Sequence, residues 1–229
     1  MKEKLILVGG GHLAKEIVQF VQCYKLFDIM GFAVNKALIK SDTYLGYPVY
    51  PLEELEEYAK PDEVKLFVAV SWYNHFNEIK EKLFNEMKER GYHFAKLIAT
   101  DAVIDPSVKL GEGNWITPLV VIGFNAVIGS NNVINDRTTI GHYSEIGDHN
   151  FISPHVLING HVSIQNRTYI LGGAIIVNRI KIGNKCIVGS GTVIKKDLKD
   201  YSIVIAPRYK VIQGNEDMVE MFFKPYENS

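Results

Sequence analysis

From Ile104 to Ile194 the chain keeps a period of six. Ile104, Leu110, Ile116, Ile122, Ile128, Ile134, Ile140, Ile146, Ile152, Ile158, Ile164, Ile170, Ile176, Ile182, Val188 and Ile194 are all aliphatic, with no skipped beat. The residue two places before each is usually small or β-branched, as at Ala102, Val120, Thr138, Ser144, Val156 and Ala174. The residue after it is often glycine, as at Gly111, Gly129, Gly141 and Gly189. Six fits neither the 3.6 of a helix nor a strand-and-hairpin alternation; it is the period of a parallel β-helix in which each hexad forms one short wall and turns a corner. Residues 18 apart then stack on one wall in successive coils, and the sixteen hexads make just over five coils. No insertion breaks the rhythm, so chemistry must come from side chains projecting out of the walls and corners. A flat wall also suits packing against a neighbouring subunit. The two ends of such a solenoid need covers. The preceding domain is the candidate at the first coil, and Leu198 to Val211 with Met218 to Phe223 at the last.

Residues 1–100 read differently. Lys4 to Val8 is a short apolar run that breaks into Gly9-Gly10-Gly11-His12 and is followed by an amphipathic stretch with Ile17, Val18, Phe20 and Val21. Strand, glycine turn and helix open a βαβ unit, and such a turn leaves free backbone N–H groups where an anion can bind. Ile29 to Val34 is the next strand, Leu52 to Tyr58 a small acidic helix, and Lys65 to Val70 a strand buried on both faces. Phe76 to Arg90 is helical with Ile79, Leu83 and Met87 toward the core, Gly91 ends it, and Tyr92 to Ile98 leads out as a last strand. The expected organisation is a small doubly-wound, Rossmann-like α/β domain over 1–100 and a β-solenoid with a short capping tail over 101–229. The crevice of the first domain lies near Gly9 to His12 and the segment Ser71 to His75.

With 229 residues, 47% apolar content and a net charge of −1, the chain can bury a proper core and offers no basic stripe for nucleic acid. Two cysteines, Cys23 and Cys186, form no disulfide framework or metal-ligand pair, and no run approaches a membrane span. A cytoplasmic protein is the expectation.

Histidines concentrate in the middle coils at His142, His149, His155 and His161. The last three lie three residues past their inward isoleucines, on three successive walls, and read as polar corner residues. His142 lies two past Ile140, and 18 residues on stands Gly160. A glycine stacked over a histidine leaves a notch where a ligand can meet an imidazole able to accept a proton near neutral pH.

These features together, with I-G-H-x-x-x-I-G-D-x-x-x-I-S at 140–153, resemble the sialic-acid-type and bacillosamine-type sugar O- or N-acyltransferases of the left-handed β-helix superfamily. The resemblance implies a homotrimer with acetyl-CoA as cosubstrate in the groove between adjacent β-helices. It implies His142 as general base, Gly160 presenting backbone to the acyl group, and Gly189, Ser190 and Gly191 along the coenzyme. It implies Gly9, Gly10, Gly11 and His12 as the turn that holds the nucleotide of a nucleotide-linked amino sugar, a precursor of surface glycans; Asn35 and Tyr73 are further candidates beside it, although the loop Ser71 to His75 differs from the family's glycine-containing version and its aromatics either stack on a base or pack the domain interface.

The chain also departs from that family. Tyr143 stands where relatives often carry an acid that orients the base, and Phe151 where they often carry a second histidine. Asn135, Asp136 or a backbone carbonyl is then the candidate partner of His142, with Asn135 the foremost, and His149 or His155 of a neighbouring subunit is a further source. The second strand ends Ala33-Val34-Asn35-Lys36, without the acid common in relatives. The implied activity is N-acetylation of the amino sugar; the alternatives are O-acetylation, or a sugar-nucleotide-binding scaffold without turnover. A zinc site of the trimeric carbonic anhydrase type is disfavoured, because the histidine spacings of seven, six and six lack a close pair.

Overall fold

The computed structural model describes residues 2–70 and 77–206. Tyr73 and the rest of Ser71 to Phe76, and the tail from 207 with its expected cap at Met218 to Phe223, lie outside the described residues.

The first hundred residues form an α/β layer. Strand β1 (Lys4–Val8) is central, with parallel neighbours β2 (Asp28–Val34) and β5 (Lys65–Val68). β3 (Thr43–Tyr44) and β4 (Tyr47–Pro51) make an antiparallel pair beyond β2, and β6 (His93–Phe94) borders β5, giving the order β3-β4-β2-β1-β5-β6. Helix α1 (His12–Cys23) buries Leu13, Ala14, Ile17, Val18, Phe20 and Val21, the stripe its spacing predicts. The acidic stretch at 52 is a 3-10 turn, Leu52–Glu57, anchored by Leu52 and Leu55.

Helix α2 (Glu78–Glu89) differs from expectation. Its buried residues are Lys80, Phe84 and Met87, while Ile79 is exposed. The face is rotated by one residue because the helix lies between the sheet and the solenoid rather than on the sheet alone. Phe84 stacks on Phe94 and sits where a Cβ on Gly113 would reach 2.9 Å from its ring. The last strand also differs: β6 is two residues long, and Leu97–Ile98 already pairs with Trp115–Ile116 as the first rung of the solenoid.

From there two-residue strands stack into three parallel sheets of seven, six and five strands. The first wall carries Trp115–Ile116, Val133–Ile134, Phe151–Ile152 and Tyr169–Ile170. The second carries Val121–Ile122, Thr139–Ile140, Leu157–Ile158 and Ile175–Ile176, and the third Val127–Ile128, Glu145–Ile146 and Ser163–Ile164. The register is 18 throughout these strands, which fits a left-handed parallel β-helix. The inward residues from Ile116 to Ile194 are buried in one continuous core, with Ile104 and Leu110 partly covered at the open first coil.

Two columns explain residue choices the hexad count leaves open. Every sixth residue from Gly113 to Gly191 adopts a left-handed backbone with φ between 52° and 71°. His149, His155 and His161 belong to this series with Asn125, Asn131 and Arg137, so their corner reading is borne out; polar Asn and His accept this conformation better than β-branched residues do. A second column runs Asn114, Asn132, Asn150 and Thr168. Asn114, Asn132 and Asn150 accept, through their Oδ1, the N–H 18 residues on at 2.9, 2.8 and 2.7 Å. Asparagine there replaces the small residue found at other corners and ties the coils together.

The outward faces of the three walls differ. On the first, Trp115, Val133 and Phe151 are buried against α1 and the sheet, with Phe20 edge-on to Trp115 at 5.6 Å. The α/β domain therefore lies along the flank of three coils and does more than cap the end. This accounts for Phe151: a histidine there would be buried in an apolar seam. The third wall presents Lys109, Val127, Glu145, Ser163 and Lys181, a mixed polar face. The second presents Val103, Val121, Thr139, Leu157, Ile175 and Val193, and four of these are exposed large aliphatics.

Candidate active site

His142 sits on the corner that leaves the bare second wall. Backbone bonds fix its column: Tyr143 N–H donates to Phe124 O at 3.0 Å, His161 N–H to His142 O at 2.9 Å, and Arg179 N–H to Gly160 O at 3.2 Å. The imidazole lies parallel to the Phe124 ring, with centroids 5.0 Å apart and planes at 11°. Tyr143 and His161 form a second parallel pair at 5.1 Å and 11°, set nearly perpendicular to the first. A Cβ added to Gly160 would stand 2.8 Å from both Cε1 and Nε2 of His142. The structure thus brings His142 and Gly160 together, as the register required, and leaves the Nε2 edge facing backbone without a side chain. Among the described residues no hydrogen bond reaches the His142 ring. Phe124 and His161 were not foreseen, although both lie in the 18-residue columns of His142 and Tyr143.

Asn135 lies on the corner that enters the second wall, the far side from His142 in one chain. Its Nδ2 donates to Ile152 O at 2.8 Å. Asp136 accepts from Thr117 Oγ1. Gly189, Ser190 and Gly191 sit three coils further along the corner of Asn135, with Gly191 N–H donating to Gly172 O. One chain therefore separates His142 and Gly160 from Asn135 and the 189–191 corner by the width of the bare wall.

His149, only seven residues past His142, occupies the opposite environment. It is 6% exposed beneath α2. Asn131 Nδ2 lies 2.9 Å from His149 Nδ1, which makes that nitrogen the acceptor and places the ring proton on Nε2. Asn77 Nδ2 donates to His149 O at 2.7 Å, and Lys80 Nζ to Asn131 O at 2.9 Å. Arg167 pairs with Glu81 at 2.6 Å. Burial, then the Lys80 charge, pushes the His149 pKa down to about 4, so the imidazole is neutral at pH 7 and its 3.9 Å approach to Glu81 is no ion pair. Burial also brings Lys80 down to about 7. His149 is thus a docking residue of its own chain, which corrects its expected contribution to a neighbouring site.

In the α/β domain, Gly10 and Gly11 line a half-open cavity of about 380 Å³ with Phe32, Val34, Lys40, Thr43 and Tyr44. Gly9 closes the turn through its N–H to Ala33 O, and its φ of 111°, with the Val70 side chain 2.9 Å and the Ala69 carbonyl 3.0 Å from a would-be Cβ, demands glycine. Gly11 precedes α1 and His12 is its exposed first residue. Asn35 points elsewhere: its Nδ2 donates to Glu53 Oε1 at 3.3 Å, and Lys36 N–H to Glu53 Oε2 at 2.9 Å. Glu53 thus places an acid beside the end of the second strand, and backbone donors hold its carboxyl below the usual range.

Residues 125–160 match the family described as bacterial transferase hexapeptide, six repeats. Those residues lie in the middle coils of the solenoid and include His142 and Gly160. No curated protein matches it by sequence. Among solved structures, a variant of perosamine N-acetyltransferase from Caulobacter crescentus, in complex with CoA and GDP-perosamine, is 25% identical with a TM-score of 0.76, covering 89% of this chain and 93% of that one. WeeI from Acinetobacter baumannii is 25% identical with a TM-score of 0.74, covering 90% and 97%. The acetyltransferase domain of PglB from Neisseria gonorrhoeae, in complex with acetyl coenzyme A, shares the fold at 22% identity and a TM-score of 0.74, covering 89% and 96%. The resemblance to left-handed β-helix sugar acyltransferases is borne out, and the alignment with the perosamine enzyme and WeeI spans 89% and 90% of this chain. No helix among its described residues is long and apolar enough to cross a membrane.

Proposed function

We propose that the protein is an acetyl-CoA-dependent N-acetyltransferase that acts on a nucleotide-linked amino sugar and works as a homotrimer in the cytoplasm. One observation carries this reading: a histidine whose Nε2 edge faces a glycine, at the rim of an apolar wall that no described residue covers. The perosamine enzyme's complex with CoA and a nucleotide sugar supports the same pair of substrates here.

Exposed Val103, Val121, Leu157 and Val193 form the kind of continuous apolar face that marks a subunit interface. A second copy seated on that wall would bring its Asn135 corner, and with it Gly189, Ser190 and Gly191, toward His142. Acetyl-CoA would lie in the groove so formed. The Rossmann-like domain would hold the nucleotide at Gly9, Gly10, Gly11 and His12, with the cavity bordered by Lys40 and Tyr44 beside them.

In the reaction, the sugar amine attacks the thioester carbonyl carbon while His142 Nε2 takes a proton from the nitrogen. Backbone near Gly160 stabilises the oxyanion. The intermediate collapses with cleavage of the C–S bond, and the imidazolium returns its proton to the departing thiolate, leaving amide and free thiol.

The test is thiol release from acetyl-CoA across a panel of nucleotide-linked amino sugars, for the wild type and His142→Ala. The expected result is turnover on at least one sugar and its loss in the variant. Turnover on none sinks the activity, and undiminished turnover in His142→Ala removes the base.

A further inference from the structure

We propose that Phe124 is a positioning residue for His142, and that ring packing does here what an acidic neighbour does in related sites. This rests on the reading of His142 as base, and it follows from four observations. The residue after His142 is Tyr143, which cannot act as a carboxylate. No hydrogen bond among the described residues reaches the His142 ring, so its orientation is set by contacts. The one parallel contact is Phe124, at 5.0 Å and 11°. The third and fourth rings close the arrangement: His161 meets His142 edge-on at 5.3 Å and is itself stacked on Tyr143.

An imidazole has two torsions to fix. Backbone position is fixed by the corner ladder through Phe124 O, His142 O and Gly160 O. The first torsion is limited by that corner, but the ring plane about the second is broad unless something holds it. The Phe124 face holds it, because a tilted imidazole would lose the stack. Planar stacking restricts tilt without engaging either nitrogen. Both nitrogens therefore stay available, one for the amine proton and the other for water or a neighbouring subunit. A carboxylate would instead hold one nitrogen and raise the basicity of the other.

The experiment compares Phe124→Leu and Phe124→Tyr with the wild type. Phe124 is half exposed, so both variants should fold, and a thermal melt checks this. If Phe124 positions the base, Phe124→Leu lowers kcat roughly three- to tenfold, the scale of one aromatic pair, with the KM for acetyl-CoA unchanged, and Phe124→Tyr restores it. A second readout is independent of turnover: with histidine isotopically labelled, the His142 ring protons should be shifted upfield by the Phe124 ring current, and the shift should vanish in Phe124→Leu. Unchanged kcat in Phe124→Leu, or His142 ring resonances that do not move, overturns the proposal. If no sugar is turned over by the wild type, the enzymatic reading fails by itself, and the ring-current measurement still decides whether Phe124 sets the His142 plane.

Discussion

His142 and His149 are seven residues apart on adjoining corners of the same repeat, yet the chain treats them as opposites. At the His149 corner, α2 returns from the first domain and buries the imidazole among Asn77, Lys80, Asn131 and Phe84. At the His142 corner no described element returns, and the ring stands between Phe124 and the bare backbone of Gly160. A histidine in a solenoid is thus given its role by what lies over its corner. Covering desolvates it and makes it a hydrogen-bond acceptor at the joint between domains; an open corner keeps it available to a substrate.

The comparison breaks most sharply by removing each ring in turn. His142→Ala should lower kcat by about 10²–10⁴, the range for loss of a general base, with an unchanged melting temperature. His149→Ala should lower the melting temperature and leave kcat of the folded fraction near wild type. Equal effects on turnover would dissolve the distinction.

Next comes pH. The folded-state pKa of His149, about 4, lies below its ordinary 6.5, so between these values the unfolded chain binds a proton that the folded chain refuses. Stability should therefore fall as pH drops from 6.5 to 4, by on the order of 3 kcal/mol, and be flat in this respect above 6.5. Lys80 works at the other end: with about 7 folded against 10.5 ordinarily, it should make stability rise as pH climbs from 7 toward 10.5. Denaturation midpoints across pH should show both slopes, the acid one lost in His149→Gln and the alkaline one in Lys80→Met.

Assembly sharpens the contrast further, because of these two corners only that of His142 borders the bare wall. Leu157→Glu, which places a charge in the middle of that wall, should shift sedimentation from trimer to monomer and lower turnover with it, while leaving the His149 joint and its pH dependence intact. A monomeric wild type would remove the trimer from the proposal. Smallest is Gly160→Ala: a methyl 2.8 Å from Nε2 should force the ring aside and cost roughly tenfold in kcat without changing the fold.

Much of this was legible beforehand. The sixteen inward residues, the glycine turn after β1, the pairing of His142 with Gly160 and the corner character of His149, His155 and His161 all follow from counting sixes and eighteens. The reach of α2 was misread because Ile79 and Leu83 look like the core side of an isolated helix, whereas Lys80 is drawn inward by Asn131 O, 51 residues away. Phe151 looked like a lost histidine and is instead a plug beneath α1. The acid near the end of β2 was invisible because Glu53 arrives from 17 residues beyond Lys36.

By itself, the sequence determined the coil. One aliphatic residue in every six must face inward, and that single requirement orders the walls, the corners and the columns 18 residues apart. Only the tertiary structure decided which wall is covered, which corner is closed and which histidine stays in reach of solvent. The physical reason is range: a repeat specifies neighbours one coil away, whereas the burial of His149 and the partial exposure of His142 depend on where a helix 72 residues upstream of the joint comes to rest.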